Sequence, residues 1–253
     1  MNLKRVLSFV LALLMVLSMV PASVRADTEN PWSGKSAVFV GDSITAGSGT
    51  SKIYYQYLDE SLEFGSVTSM GVAGSCISAA SDYGHSNQPL IDRYQNIPAS
   101  DLIVIFMGTN DYGHETPMGS VTDAQDGTFY GALNTIVPAL AASHPDSRIV
   151  FVTPLHRYGF GTSKILGTAF TDDHIPNGVG ATLEDYVQAL KTVCANYGVS
   201  VIDLYTECTL DPSDPAVRTA CMPDGLHPNA AGHEKIAAII SQSLGNILLA
   251  KNL

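Results

Sequence analysis

Five short apolar runs punctuate this chain, separated by longer stretches in which apolar residues recur every three or four positions. The runs at 36–40, 67–72, 102–107, 148–153 and 199–204 read as strands, and the run at 102–107 is apolar at every position. Residues 53–62, 129–142, 183–197 and 230–249 read as helices, and Leu183, Val187, Leu190 and Cys194 fall on one stripe of the third. A polar loop over 81–88 and a short helix around Leu90 separate the second and third strands. Continuous apolar strands alternating with amphipathic helices predict a parallel sheet covered on both faces, with right-handed crossovers. The expected fold is therefore a doubly wound α/β domain, a three-layer α/β/α sandwich. Its ligand site should lie outside the carboxyl ends of the strands. One connection, 156–182, is long for a compact domain and carries Phe160, Ile165, Leu166, Phe170 and Ile175 among glycines. It reads equally as the wall of a substrate pocket or as a surface insert holding a short helix.

The first 26 residues do not belong to this pattern. Lys4 and Arg5 precede a fifteen-residue apolar run over 6–20, and Val24-Arg25-Ala26 offers small residues at cleavage spacing. That is the build of a secretory signal peptide, with an uncleaved anchor as the alternative. The run is short for a membrane span. The mature chain would then be one domain over 27–253, secreted or extracytoplasmic. Cleavage removes three basic residues and no acidic one, so the formal net charge moves from −11 to −14. Such a surface repels phosphate backbones and anionic lipid heads, which argues against nucleic-acid and membrane-surface partners. Among the four cysteines, Cys208 and Cys221 flank a loop rich in Asp and Pro and are the pair expected to form a disulfide. Cys76 and Cys194 sit in apolar contexts and read as buried thiols.

Candidate chemistry gathers at the strand ends. The first strand ends at Gly41-Asp42-Ser43, the second at Gly71-Val72-Ala73-Gly74 and the third at Gly108-Thr109-Asn110-Asp111. Asp224-Gly225-Leu226-His227-Pro228-Asn229 stands just before the last helix. Each segment alone is also an ordinary turn or helix cap. Together they place a serine, backbone amides, a side-chain amide and an Asp/His pair along one sheet edge, which is the inventory of acyl transfer. Ser43 is the candidate nucleophile, His227 its base and Asp224 the group that orients the imidazole. Pro228 disfavours helical geometry at His227 and so keeps it on the loop. The amides of Ser43 and Gly74 and the Asn110 side chain are the candidate oxyanion donors.

Other motifs are not supported. His85, His114, His144, His156, His174 and His233 show no paired metal-ligand spacing, so neither metal nor cofactor is expected. Ser33-Gly34-Lys35-Ser36 resembles the end of a phosphate-binding loop, but Glu29 stands where its first glycine belongs and the segment precedes the first strand. There is no GxSxG elbow.

The four blocks, in order and spanning the mature chain, resemble those of the SGNH, or GDSL, hydrolase family. The resemblance implies a flavodoxin-like fold with a five-stranded parallel sheet. It implies Ser43 as nucleophile and oxyanion donor, Gly74 (with Gly71 as the alternative in the same block) and Asn110 as further donors, and Asp224 and His227 as acid and base. The first block reads Gly-Asp-Ser-Ile where the family commonly has Leu, and Ser75-Cys76 follows Gly74 where many members carry a polar residue and Thr. The implied activity is a serine esterase acting on a small-molecule or carbohydrate ester, with a lipid acyl hydrolase as the alternative. A non-catalytic binding protein on the same fold is the rival class. Tyr54, Tyr55, Tyr57 and Tyr112 are candidates for stacking on sugars, although a hydrophobic helix face explains the first three equally well.

Overall fold

The computed structural model describes residues 30–80, 88–163, 165–169 and 171–249. The leader over 1–26, the cleavage point before Asp27, residues 81–87 of the polar loop and Phe170 lie outside the described residues. In chain order, β1 (Ser36–Gly41) runs into a one-turn helix, α1 (Ser43–Ala46), and α2 (Tyr54–Leu62) leads to β2 (Ser66–Gly71). After α3 (Leu90–Arg93) come β3 (Leu102–Phe106), α4 (Thr109–Gly113), α5 (Phe129–Ser143) and β4 (Arg148–Val152). The fold continues through α6 (Leu183–Asn196), β5 (Ser200–Ile202), α7 (Leu204–Glu207), α8 (Pro215–Cys221) and α9 (Ala230–Leu249).

All five strands are parallel, in the order β2-β1-β3-β4-β5. Because side chains alternate along a strand, the inner strands feed two separate cores. Val38, Val40, Ile103, Ile105, Ile149 and Phe151 pack with Leu133, Ile136 and Leu140 of α5 and with Leu183, Val187, Leu190 and Cys194 of α6. Phe39, Val104, Phe106, Val150 and Val152 pack on the other face with Leu58 of α2 and Ile236, Ile240 and Leu244 of α9. The three-layer expectation therefore holds, and Trp32–Leu253 is one compact unit. β2 differs from the inner strands: it is an edge, and Ser66, Thr68 and Ser69 are exposed.

Two local readings are corrected. The fifth strand stops at Ile202 because Asp203 caps α7, its side chain accepting from the Thr206 N–H. The loop between Cys208 and Cys221 contains α8, capped by Asp214 with Pro215 at its first position. The disulfide expected between Cys208 and Cys221 is not formed. Both are free, buried thiols in the same apolar cluster. Packing and the Asp214 cap close this segment without a covalent link.

Candidate active site

The nucleophile turn is built by exclusion. A Cβ at Gly41 would lie 1.9 Å from Thr45 Oγ1 and 2.9 Å from the Phe106 carbonyl, so only glycine lets α1 fold back over the strand end. Asp42 caps α1 through the Ile44 N–H at 2.9 Å. Burial pushes its carboxyl up to about 6, against the opposing pull of that N–H and of His227, Arg157 and Arg93. Thr45 is buried and hydrogen-bonded to the Tyr54 hydroxyl at 3.1 Å, which makes it part of the floor of the turn. Ser43 is left at the carboxyl edge of the sheet.

His227 meets Ser43 across 184 residues of sequence, with Nε2 2.9 Å from the serine Oγ. Its Nδ1 lies 2.7 Å from Asp224 Oδ2, so the ring donates to the carboxylate and presents Nε2 as acceptor to the hydroxyl. The other Asp224 oxygen accepts the backbone N–H groups of Leu226 and His227, at 2.9 and 2.7 Å. Burial alone would raise the Asp224 carboxyl. The hydrogen bonds from His227 and Leu226 outweigh it and hold the group below the usual carboxylate range. Gly225 makes this loop possible: its φ is +81°, and a Cβ there would meet the Tyr158 carbonyl at 1.8 Å. Asn229 caps α9 through the Gly232 N–H at 3.1 Å, so the turn-and-cap reading of this segment holds alongside the Asp224–His227–Ser43 contacts.

The oxyanion candidates share the same edge. Gly41 is in register with Gly71 on one side and Phe106 on the other, so Ser43, Gly74 and Asn110 each follow the end of adjacent strands by a few residues. Asn110 Nδ2 donates to the Ser75 carbonyl at 3.0 Å, which brings its amide beside Gly74. Gly74 has φ +76° with open space where a Cβ would lie. Gly71 is packed instead, its Cβ position 2.4 Å from the Ala46 nitrogen. Of the two glycines in that block, Gly74 faces open space.

Several residues that sequence reasoning left without a role hold this edge in place. The buried Arg93 guanidinium donates to the carbonyls of Gly41 (3.0 Å), Met70 (2.8 Å) and Gln88 (2.9 Å), lacing the ends of β1 and β2 together. Asp111 is fully buried and accepts the N–H groups of Ile77 (2.8 Å) and Ser78 (3.2 Å), fixing the chain that follows Gly74. Burial pushes its carboxyl up to about 7, although these bonds pull the other way.

The long connection contains no helix among its described residues. Its organisation comes from Glu115, whose carboxylate accepts Ser163 Oγ and the N–H groups of Ile165 (3.1 Å) and Gly178 (2.9 Å). Phe160, on this connection, stands edge-on to the His227 ring at 5.4 Å. Of the four tyrosines that are candidates for stacking on sugars, Tyr54 and Tyr112 are wholly buried, their hydroxyls bonded to Thr45 and to the Ile175 carbonyl. Both are core residues, and Phe160 takes the position beside the histidine.

His233 lies behind the site, buried, with its ring stacked on Tyr54 and Nδ1 accepting the Tyr54 N–H at 3.1 Å. Burial, then the nearby His227, pushes it from 6.5 down to about 4. The unfolded chain therefore binds this proton at a higher pH than the folded one. The stability tied to neutral His233 is complete above pH 6.5 and drains away as pH falls toward 4. His233→Asn keeps an acceptor for Tyr54 but does not titrate. Relative to that variant, wild type should lose about 2 kcal/mol between neutral pH and about pH 5. Urea midpoints measured across this range test the assignment, and parallel curves for the two proteins would refute it.

Residues 39–235 match the sequence model of the GDSL-like lipase/acylhydrolase family. None of the curated proteins matches the chain. Among solved structures, a protein from Lactobacillus plantarum is 33% identical, with a TM-score of 0.74 over 85% of this chain and 98% of its own. A "possible lipase" from Chitinophaga pinensis is 22% identical, with a TM-score of 0.67 over 85% of this chain and 99% of its own. A variant of an acetyl-xylooligosaccharide esterase from Geobacillus is 18% identical, with a TM-score of 0.57 over 84% of this chain and 95% of its own.

Proposed function

The chain belongs to the GDSL-like lipase/acylhydrolase family, and from that premise we propose that it is an exported serine esterase that removes a short acyl group, such as acetate, from a carbohydrate. The observation that carries this reading is the unbroken hydrogen-bond chain Asp224–His227–Ser43 at the carboxyl edge of the sheet.

In the proposed cycle, Ser43 Oγ attacks the ester carbonyl and its proton passes to His227 Nε2, while Asp224 stabilises the imidazolium. The negative charge that develops on the carbonyl oxygen is met by the amides of Ser43 and Gly74 and the free N–H of Asn110. Collapse expels the alcohol, which takes the proton from His227 and leaves an acyl group on Ser43. Water, deprotonated by the same imidazole, then releases the acid and restores the serine.

A sugar alcohol is supported by Phe160, an exposed aromatic beside the His227 ring that would protonate the leaving group, since aromatic rings stack on sugars. A second reading, hydrolysis of longer or lipid acyl esters, is favoured by the exposed Ile165, Leu166, Ile175 and Val179 on the same connection. Rates on acetylated sugars, compared with p-nitrophenyl esters of rising chain length, separate the two. A preference for acyl chains of about eight carbons or more would overturn the short-acyl reading. Covalent labelling by a fluorophosphonate probe, lost in Ser43→Ala, tests for an enzyme against a binding protein on the same fold.

Export rests on the basic start and the Val24-Arg25-Ala26 spacing. N-terminal sequencing of secreted protein should begin at Asp27, and a start upstream of Val20 would sink this part of the proposal.

A further inference from the structure

The two limbs of the long connection meet at a cluster that lies outside the esterase machinery. His156 stands at its start, and Asp173 and His174 stand on its return. His156 Nδ1 is 2.9 Å from Asp173 Oδ2, and His174 Nε2 is 3.7 Å from Asp173 Oδ1. One potential ligand atom from each of the three lies within 4.8 Å of the others. Asp173 is buried, with 4% of its side chain exposed, His156 is largely covered, and His174 is open to solvent at 64%.

A second observation points to the same place. The Tyr205 ring lies against the His156 ring, centroids 4.0 Å apart, and Tyr205 is 8% exposed. Its hydroxyl is buried without a hydrogen-bond partner among the described residues, in the field of Asp173, Glu184, Asp172 and Asp211. Asp211 stands close enough to both histidines that their charge helps its hydrogen bonds from Ser213 hold its carboxyl below the usual range. An unpartnered hydroxyl costs free energy unless something polar completes it.

We propose that His156, Asp173 and His174 form a binding site for a divalent transition metal of the zinc type, which clamps the two limbs of the connection together. Two imidazoles and one carboxylate are a borderline-soft donor set that suits zinc and leaves a fourth position for water. Metal–ligand bonds of about 2.1 Å require neighbouring donors to stand roughly 3.4 Å apart in a tetrahedron. The His156–Asp173 pair needs only to open slightly. The remaining closure falls to His174, whose exposure leaves its ring free to rotate.

The clamp bears on the esterase site through the next residues of the chain. The Arg157 N–H also donates to Asp173, at 3.1 Å, and the Arg157 guanidinium holds the Thr109 carbonyl at 2.8 Å, one residue before Asn110. The Tyr158 N–H donates to the Gly225 carbonyl at 2.8 Å, between Asp224 and the loop that carries His227. The metal is thus structural, setting the position of the connection beneath Phe160. Local spacing could not have disclosed this set, because only the return of the chain brings His156 to Asp173 and His174.

The test uses the full mature chain, stripped with chelator and titrated with Zn2+ against a chromophoric competitor. One equivalent should bind with a micromolar or lower Kd, and Zn2+ should raise the thermal midpoint. His174→Ala, an exposed position, should weaken binding by about tenfold or more and abolish the thermal shift. Asp173→Asn should do the same, and Ca2+ should compete poorly because two of the three donors are nitrogen. The proposal fails if wild type binds no Zn2+ at about 100 μM, or if His174→Ala and wild type bind alike. Competition by Ca2+ equal to that of Zn2+ would overturn the metal class.

Discussion

Ser43→Ala should lower kcat/KM on a short activated ester by about 10³-fold or more while the protein melts where wild type does. The serine Oγ makes its 2.9 Å contact with His227 Nε2, and Ala at 43 fills the same place in α1. His227→Ala should cost a similar factor, because the hydroxyl without its base is a weak nucleophile. The ring it removes is not part of either apolar core. The double variant should be no worse than either single one, since the two residues act as a unit. Near-normal turnover in Ser43→Ala would show that another group attacks the ester.

Asn110→Ala should lower kcat by roughly 10²- to 10³-fold with little change in KM, equivalent to about 3–4 kcal/mol of transition-state stabilisation. The structure adds a second task to the proposed one, because one N–H of the Asn110 amide donates to the Ser75 carbonyl at 3.0 Å. Losing that bond leaves a buried carbonyl without its donor and should cost about 1–2 kcal/mol of stability. Turnover is therefore best measured well below the melting midpoint, where both proteins are folded. A lowered midpoint with near-normal kcat would assign Asn110 to the structure of the edge alone.

What the sequence disclosed, and what it hid, divides along physical lines. The inner strands were readable because burial on both faces demands unbroken apolar runs, as in residues 102–107. The stripe of α6 was readable because helical period places Leu183, Val187, Leu190 and Cys194 together. Ser43 was legible as a candidate because parallel strands bring their carboxyl ends to one edge, and the meeting of Asp224 and His227 with it is shown by the structure. The helix α8 was missed although Asp214-Pro215 is a cap followed by a first-turn proline, a signal that was present. The free state of Cys208 and Cys221 depends on packing around them, which spacing does not encode. Arg93, Asp111 and Glu115 were invisible for a different reason. Each acts by satisfying backbone groups of distant segments, and no local pattern marks an acceptor or donor 34 to 63 residues away. Tyr54 follows the helix-face alternative and Tyr112 the core, because an aromatic near such a turn fits the core as readily as a ligand.

The separation of 184 positions from Ser43 to His227 sets an order in which this chain can bring the two together. The serine, with its strand and turn, leaves the ribosome early, whereas the imidazole sits just before the terminal helix. The Ser43 hydroxyl meets the His227 ring on a loop that leads directly into α9, and α9 packs against α2. On the proposed roles, a nascent or half-folded chain with the Ser43 turn complete should be hydrolytically silent. With the proposed roles of Ser43 and His227, regain of turnover during refolding should report the docking of the last helix rather than the assembly of the sheet.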